Sequence, residues 1–423
     1  MSKVQKSHDR ISTPAASGLK VPFFRPSIGE AEIEEVATCL RSGWLTTGPT
    51  TRRFETDFAA AVGAKHAVAV NSATAALHLA VEALGLAAGE GVLVPAMTFA
   101  ATAEIVRYRG ALPILVDCDP ITFNMDLADA ERKLELAKSG RLPGANSRPV
   151  RAVGMIPVHV SGLMMDVDAI QALATKHGLW VVEDAAHAFP AAWRPDAKTA
   201  WQRCGENTAA VSCFSFYANK TITTGEGGMA VTADQRLAER MRMMSLHGLS
   251  HDAWGRYSGA GSWDYQIVEA GYKYNMTDVA AAIGVHQLAR AEAMRLDREQ
   301  IARAYLGEFA DVDEIELPVV PANRLLAWHL FPVRLRLEKL TIDRNTFFAE
   351  LRAAGVGCSV HWRPLHLHPY YRDGMGWPAD LLPTATRVWE RLVSLPLFPG
   401  MTPEERARVV EVVRELCTRH RVQ

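Results

Sequence analysis

The sequence predicts an α/β protein, with a large domain built on a mainly parallel sheet and a smaller C-terminal α/β domain. Three observations predict it. From Ala67 to Leu246, short apolar runs alternate with segments of helical period, the order of elements that builds parallel sheets. Several runs, Gly91 to Pro95 among them, are apolar throughout rather than at every second position, as strands covered on both faces read. The length of 423 residues, with 48% hydrophobic content, favours two domains or one large domain with a smaller one appended. The expected divisions are a disordered tail over 1–20, a large domain over 21–285 and a small domain over 286–423.

The elements follow in order. Residues 1–20 mix Lys, Ser, His, Asp and Pro without an apolar segment, which suits a tail. Ser27 and Glu30 have the spacing of a capping box, and Ile33, Val36, Ala37 and Leu40 recur at helical spacing before Gly43, so an amphipathic helix is expected there. Ser42 to Pro49 is a glycine-punctuated loop whose Trp44, Thr46 and Thr47 either connect or line a pocket; Phe54, Phe58 and Val62 then mark one face of a second helix. Ala67 to Val70 is a short strand, and Asn71 to Ala80 turns directly into a helix running toward Gly85. Further buried strands are expected at Gly91 to Pro95, Pro113 to Val116, Arg151 to Val160, Leu179 to Val182, Ser212 to Phe216 and Gly228 to Thr232. Helices are expected over Thr98 to Tyr108, Val167 to His177 and from Thr232 through Leu246. Between Gly248 and Gly271 no period is visible, and a long excursion with a functional or interface role is expected. Gly271 to Asp278 leads into an alanine-rich helix, Val279 to Leu288. The small domain should hold a strand from Trp328 to Leu335, a helix from Arg344 to Ala354, the segment Leu395 to Pro399, and a last helix, Thr402 to Thr418, opening T-P-E-E.

Composition excludes several functions. Lysine plus arginine (46) nearly equals aspartate plus glutamate (47), a net charge of −1, so bulk electrostatics point to neither nucleic acid nor membrane. No apolar run is long enough to span a bilayer, and the six cysteines are scattered without a C-x-x-C pair, so a reducing cytoplasm is the expected location. Neither a G-x-S-x-G elbow nor a Walker A loop occurs. Gly225-Glu226-Gly227-Gly228 lacks the spacing and position of a dinucleotide fingerprint. His361, His366 and His368 have no cysteine or carboxylate at ligand spacing; they read as surface or substrate-contacting histidines, and no metal is expected.

Three places carry candidate chemistry. Lys220 stands in F-S-F-Y-A-N-K-T-I-T-T-G-E-G-G (214–228), between an apolar strand and a glycine turn, with Ser215 five positions before it. It is either a solvated loop lysine or a desolvated amine able to bond an aldehyde cofactor covalently. Asp184 ends the apolar run Trp180-Val181-Val182, where a carboxylate is costly unless paired; it either caps the next turn or holds a positive charge on a ligand's ring nitrogen. Small residues at Asn71-Ser72-Ala73-Thr74 open a helix, which makes either a plain N-cap or a phosphate site.

Ten ordered segments together resemble the DegT/DnrJ/EryC1/StrS family of pyridoxal-phosphate-dependent sugar aminotransferases, from about Pro22 onward. They are R-P-S-I-G (25–29), R-S-G-W-L-T-T-G-P (41–49), N-S-A-T-A-A-L-H-L (71–79), P-A-M-T-F-A-A-T-A (95–103), P-V-H-V-S-G (157–162), V-E-D-A-A-H-A (182–188), F-S-F-Y-A-N-K (214–220), T-G-E-G-G (224–228), G-Y-K-Y-N-M-T-D (271–278) and S-L-P-L-F-P (394–399). The second and ninth are most similar to the branch acting on nucleotide-linked 4-keto sugars, including the 4-amino-4-deoxy-L-arabinose enzyme.

The resemblance implies an aspartate-aminotransferase-like fold (fold type I), pyridoxal 5'-phosphate as cofactor, and a homodimer with shared active sites. It implies that Lys220 bonds the cofactor, that Asp184 pairs with its ring nitrogen, that Phe99 stacks on the ring and that His187 sits beside it. Ala73, Thr74 and Ser215 would hold the phosphate. An asparagine from the second subunit would reach it too; many relatives have Gly-x-Asn where this chain has Gly271-Tyr272-Lys273, so that role passes to Asn275. His361 matches a substrate-side histidine. Arg25, Arg363 and Lys273 are available cations for substrate anions, and Thr46 is a further substrate-side candidate. The expected substrates are a nucleotide-linked sugar ketone, aminated at C4, and glutamate as donor. A 3-keto sugar or keto-cyclitol aminotransferase is the alternative. A non-catalytic cofactor-binding protein is the remote one; the intact lysine speaks against it, since dehydrating relatives carry histidine there.

Overall fold

The computed structural model describes residues 18–249 and 266–423. Residues 1–17 of the expected tail and most of the 248–271 excursion lie outside the described residues.

Seven strands form the main sheet: β1 (His66–Val70), β2 (Gly91–Pro95), β3 (Leu112–Val116), β4 (Ala152–Met155), β5 (Trp180–Asp184), β6 (Val211–Ser215) and β7 (Gly228–Thr232). Their order is β1-β7-β6-β5-β4-β2-β3. The β2–β3, β2–β4, β4–β5 and β5–β6 pairs are parallel, and only β7 runs against its neighbours β6 and β1. The carboxyl ends of β1, β5 and β6 therefore open on one edge, the place where such sheets gather ligands. The predicted bounds of β2 and β7 coincide with those observed, because β2 is buried at every position and β7 is enclosed between two strands.

Two helices precede the sheet, α1 (Glu30–Ser42) and α2 (Pro49–Val62). Helices α3 (Ala73–Ala83), α4 (Ala101–Tyr108), α5 (Leu127–Lys138), α6 (Val167–His177) and α7 (Gln235–Met244) connect its strands. One face of the sheet buries aliphatic residues with α3, α4 and α5. On the other, Phe54 and Phe58 of α2 meet Phe189, Phe214 and Phe216, with ring centroids 4.8 to 6.1 Å apart. Such pairs add about 0.5–1.5 kcal/mol each beyond the burial of their area.

Helix α1 departs from expectation. Its N-cap is Gly29, whose N–H donates to the Glu32 carboxylate at 2.9 Å, two residues beyond the expected Ser27–Glu30 box. Glu32 is buried because it also takes Gln287 Nε2 (2.8 Å) and the Arg290 guanidinium. Those polar anchors fix the helix against α8 (Asp278–Ala289), so Ile33 and Leu40 of the apolar stripe are left 53% and 54% exposed on the single chain.

The 18-residue α9 (Ala291–Glu308) then bridges two cores: Ala291 and Met294 pack with the phenylalanine cluster, while Ile301, Ala302 and Tyr305 enter the C-terminal core. That second core is built on the antiparallel strands β8 (Ile315–Glu316), β9 (Phe331–Leu335) and β10 (Leu392–Leu395). Helices α10 (Arg344–Ala353) and α12 (Pro403–Arg419) cover it, whereas α11 (Pro383–Arg391) and the segment around Trp377 pack onto the large core. A cut at residue 286 would thus fall inside α8, and residues 365–392 belong by packing to the large body. At α12, Thr402 Oγ1 accepts Glu405 N–H at 3.2 Å while the Glu405 carboxylate accepts Thr402 N–H at 2.9 Å, a capping box where the sequence placed the helix start.

Candidate active site

A cavity of about 490 Å³ lies at the carboxyl edge of the sheet. It collects Ser72, Ala73 and Thr74 from the β1–α3 turn, Asp184 and His187 after β5, Ser215 and Lys220 after β6, and Phe99 before α4. From the C-terminal part of the chain it takes His329, His361 and Trp362. A topology in which β1, β5 and β6 end at one edge brings together residues that the sequence holds up to 290 positions apart, from Ser72 to Trp362.

The β1–α3 turn is an anion cradle. Ser72 caps α3 by accepting Ala75 N–H at 3.1 Å, and the remaining first-turn N–H groups have no partner within the helix. Gly228 lies opposite Val70 in one register and Ser215 in the other, and a Cβ there would meet the Ser72 carbonyl carbon at 2.5 Å and Ala73 N at 2.6 Å. Glycine is what lets β7 close on the turn. Ser215 Oγ, next to this cradle, accepts Tyr217 N–H at 3.3 Å.

Asp184 is buried. Thr102 Oγ1 donates to one carboxylate oxygen at 2.7 Å and Ala186 N–H to the other at 3.2 Å. Burial pushes its carboxyl above the usual carboxylate range, against those two hydrogen bonds and the nearby Lys220. A cation placed opposite it in the cavity reverses that shift and fixes the anion. Behind it, Glu183 is locked by hydroxyls of Thr208 and Ser212, both at 2.6 Å, and by His159 Nε2 at 3.2 Å. Cys204 completes a buried group whose ligand-type atoms lie within 4.8 Å of one another. With its carboxylate taken by two hydroxyls and a histidine, this group ties β5, β6 and the loop after β4 together rather than facing the cavity.

Lys220 is half-buried, with Nζ 3.4 Å from His329 Nε2. Burial lowers its amine to about 8, Asp184 opposing the shift, so the free base is far more accessible near neutral pH than for an ordinary lysine. His187 Nδ1 accepts Ser161 N–H at 3.3 Å, and His361 Nδ1 lies 2.9 Å from Ser394 Oγ. Burial, with the charge of Lys220, lowers both imidazoles, His361 to about 4, and they are neutral at physiological pH.

Several expected site residues fall elsewhere. Arg25 is paired with Glu405 at 2.6 Å and lies over the Phe398 ring, tying the N-terminal segment to α12 instead of lining the cavity. Arg363 donates to the Leu367 carbonyl at 2.9 Å. Thr46 is exposed, and its carbonyl accepts Asp278 N–H at 3.1 Å. Asn275 is held between Lys273 Nζ (2.7 Å to Oδ1) and Thr47 Oγ1 (2.7 Å from Nδ2), outside the cavity of its own chain. The triplet His361, His366 and His368 diverges to Ser394, Thr386 and the Arg363 carbonyl. Trp362, His329 and Thr102 are among the residues of the site that were not foreseen. His329 stands in the apolar stretch Trp328-His329-Leu330-Phe331, which reads only as strand, and Thr102 follows Thr98 by one helical turn with no local mark of its role.

A sequence model of the DegT/DnrJ/EryC1/StrS aminotransferase family matches residues 26–414. The spore coat polysaccharide biosynthesis protein SpsC of Bacillus subtilis is 42% identical over 397 residues, covering 94% of this chain and 97% of its own. The Methanocaldococcus jannaschii protein MJ1066 is 41% identical over 401 residues, 95% of this chain and 98% of its own. Among solved structures, the PLP form of Streptococcus pneumoniae Spr1654, described as a sugar aminotransferase, superposes with a TM-score of 0.83 at 30% identity, covering 95% of this chain and 99% of the other. The aminotransferase TlmJ from Streptoalloteichus hindustanus gives 0.82 at 30% identity over 94% and 99%. The cradle, the buried acid and the desolvated lysine fit pyridoxal 5'-phosphate: an anion site, a partner for a cationic ring nitrogen, and an amine for an aldehyde.

Proposed function

Because this chain belongs to the DegT/DnrJ/EryC1/StrS aminotransferase family and is a pyridoxal-phosphate-dependent sugar aminotransferase, we propose that its acceptor is a nucleotide-linked sugar with a ketone at C4 and its donor glutamate. The observation that supports the reading is the wording of two segments, which also pack against each other. The two segments most similar to the 4-keto branch, 41–49 and 271–278, are knotted into one unit: Asp278 accepts N–H groups of Gly48, Thr50 and Thr51 at 2.8 to 3.1 Å, and Thr47 holds Asn275.

The residues divide the work. The bound cofactor supplies an electron-withdrawing ring that stabilises negative charge on the amino-bearing carbon. Ionised Asp184 holds a proton at the ring nitrogen, with Thr102 and Ala186 N–H fixing its two oxygens. The β1–α3 turn and Ser215 hold the phosphate. Phe99 would cover one face of the ring and His187 would lie beside it. Lys220, released as a free amine, takes a proton from the donor's carbon and returns it on the other side of the same transfer, which its value of about 8 suits. His361 faces the substrate side.

The sites are shared across a homodimer. Among the described residues lining the cavity Lys220 is the only cation, yet an amino acid with two carboxylates and a sugar diphosphate must both bind there. Phe99 and Tyr217 on the cavity wall are 63% and 46% exposed, and α1 leaves Ile33 and Leu40 uncovered, which a second subunit would bury. Mixing Lys220→Ala with Asn275→Ala subunits should regenerate activity, since half of the exchanged dimers carry one site with both residues native. Activity that never exceeds either parent after exchange would place each site within one chain.

The acceptor is tested by assaying the enzyme with glutamate against 4-keto and 3-keto nucleotide sugars and a keto-cyclitol, following 2-oxoglutarate release and product mass. The 4-keto nucleotide sugar should react fastest, and the free keto sugar at least about tenfold more slowly than its nucleotide-linked form, because remote binding energy is lost. Faster amination of the 3-keto sugar or the cyclitol would defeat the C4 reading.

A further inference from the structure

Trp362, His187 and His329 form a column of three rings. Trp362 and His187 stack with centroids 5.0 Å apart at 23°, His187 and His329 lie 4.1 Å apart at 46°, and the column ends with His329 Nε2 3.4 Å from Lys220 Nζ. The backbone fixes the His329 ring. Its N–H donates to the Ser161 carbonyl at 3.1 Å, and the carbonyls of Trp328 and His329 accept Arg298 Nη1 at 3.2 and 3.4 Å. Arg298 is buried and spends its Nη1 on these carbonyls and that of Leu397. Trp328, with φ +51°, is held in a conformation a bulky residue rarely adopts, which persists where surrounding contacts over-determine it. So much fixation, of a buried histidine whose Nδ1 has no hydrogen-bond partner among the described residues, calls for a use.

We propose that His329 is a catalytic residue of this site, a neutral imidazole whose Nε2 lone pair accepts an N–H of Lys220 and so orients the amine toward the cavity and steadies its charge whenever it is an ammonium. The tautomer follows from the partner. An ammonium has only donors, so Nε2 must offer its lone pair and the ring proton sits on Nδ1. Neutrality follows from the surroundings. Burial, together with His187, Lys220, Arg298 and His361, holds the His329 imidazole well below its ordinary value. Around Lys220 the facing groups are Asp184, His187, His329 and His361, with Glu226 and Tyr217 on the cavity wall. Asp184 is the anion of this set that acts on Lys220, and His329 is its hydrogen-bonded neutral acceptor. The assignment rests on Lys220 being the reactive amine of the proposed function.

The test is the titration of Lys220 itself, read in the dimer freed of cofactor by trace acetylation with acetic anhydride from about pH 6 to pH 10 and mass analysis of the Lys220 peptide. The native amine should titrate near 8. His329→Leu removes the acceptor and should lower that midpoint by about one unit, whereas His329→Gln, whose amide oxygen can accept, should stay within a few tenths of native. In the holoenzyme His329→Leu should lower kcat about tenfold or more with KM little changed. An unchanged or raised midpoint in His329→Leu would overturn the assignment even if activity falls. Should that variant not fold, His329→Asn, too short to reach Nζ, replaces it against His329→Gln, and equal midpoints overturn the proposal. Borohydride reduction of the holoenzyme reports separately which lysine bonds the cofactor, so failure of the underlying reading would show there and not in the titration.

Discussion

Lys220→Ala should abolish the covalent link to the cofactor and lower turnover by at least about 10⁴-fold, because one side chain supplies both the bond that primes the cofactor and the base that moves the proton. The variant should still take up cofactor through the cradle at Ser72, Ala73, Thr74 and Ser215 and the pairing with Asp184, since none of these contacts involves the amine. Absorption would then be that of the free aldehyde. The fold should survive, because the lysine opens onto the cavity rather than into either core, and removing a desolvated amine lifts a penalty. Residual transamination within about tenfold of native would mean that another amine does the work.

Asp184→Asn should keep the phosphate anchored and lose about 10²–10³-fold in turnover, the scale of a lost preorganised charge contact. The amide is nearly the same size; its oxygen can still accept Ala186 N–H, and its NH2 can donate to Thr102 Oγ1 once that hydroxyl turns to accept, so packing is preserved while the charge is not. Without the anion the ring nitrogen loses its proton and the electron withdrawal on which the carbon acid depends. A near-normal rate would reduce Asp184 to a cap of the turn after β5. The sign of the pH response follows from burial. Burial raises the Asp184 carboxyl above its usual range, so lowering the pH protonates it sooner than an exposed aspartate and weakens cofactor retention on the acid side.

Much of this could be read from the sequence because the large domain announces itself locally. Strands covered on both faces are apolar at every position, which is why β2, β7 and helix α6 end where the sequence said, and Lys220, Asp184 and the β1–α3 turn lie at strand ends, where period changes to turn. What failed to show was set by partners distant in the chain. The α1 stripe was legible as amphipathic, but Glu32, Gln287 and Arg290 decide which side faces inward. Arg25 looked like a free cation until Glu405, 380 residues away, took it. Neither α5 nor α11 was foreseen, and residues 365–392 return to the large core, which no composition shift betrays. His329 was invisible for the same reason: a histidine in the apolar stretch leading into β9 carries no mark of the lysine 109 positions earlier that it meets.

The central claim is that Lys220 bonds the cofactor, and borohydride reduction of the yellow holoenzyme followed by peptide mapping tests it most directly. Reduction should bleach the visible band and fix one pyridoxyl adduct per chain on the peptide carrying F-S-F-Y-A-N-K, at Lys220. An adduct on another lysine, such as Lys273, which the structure pairs with Asn275 outside the cavity, would contradict the account.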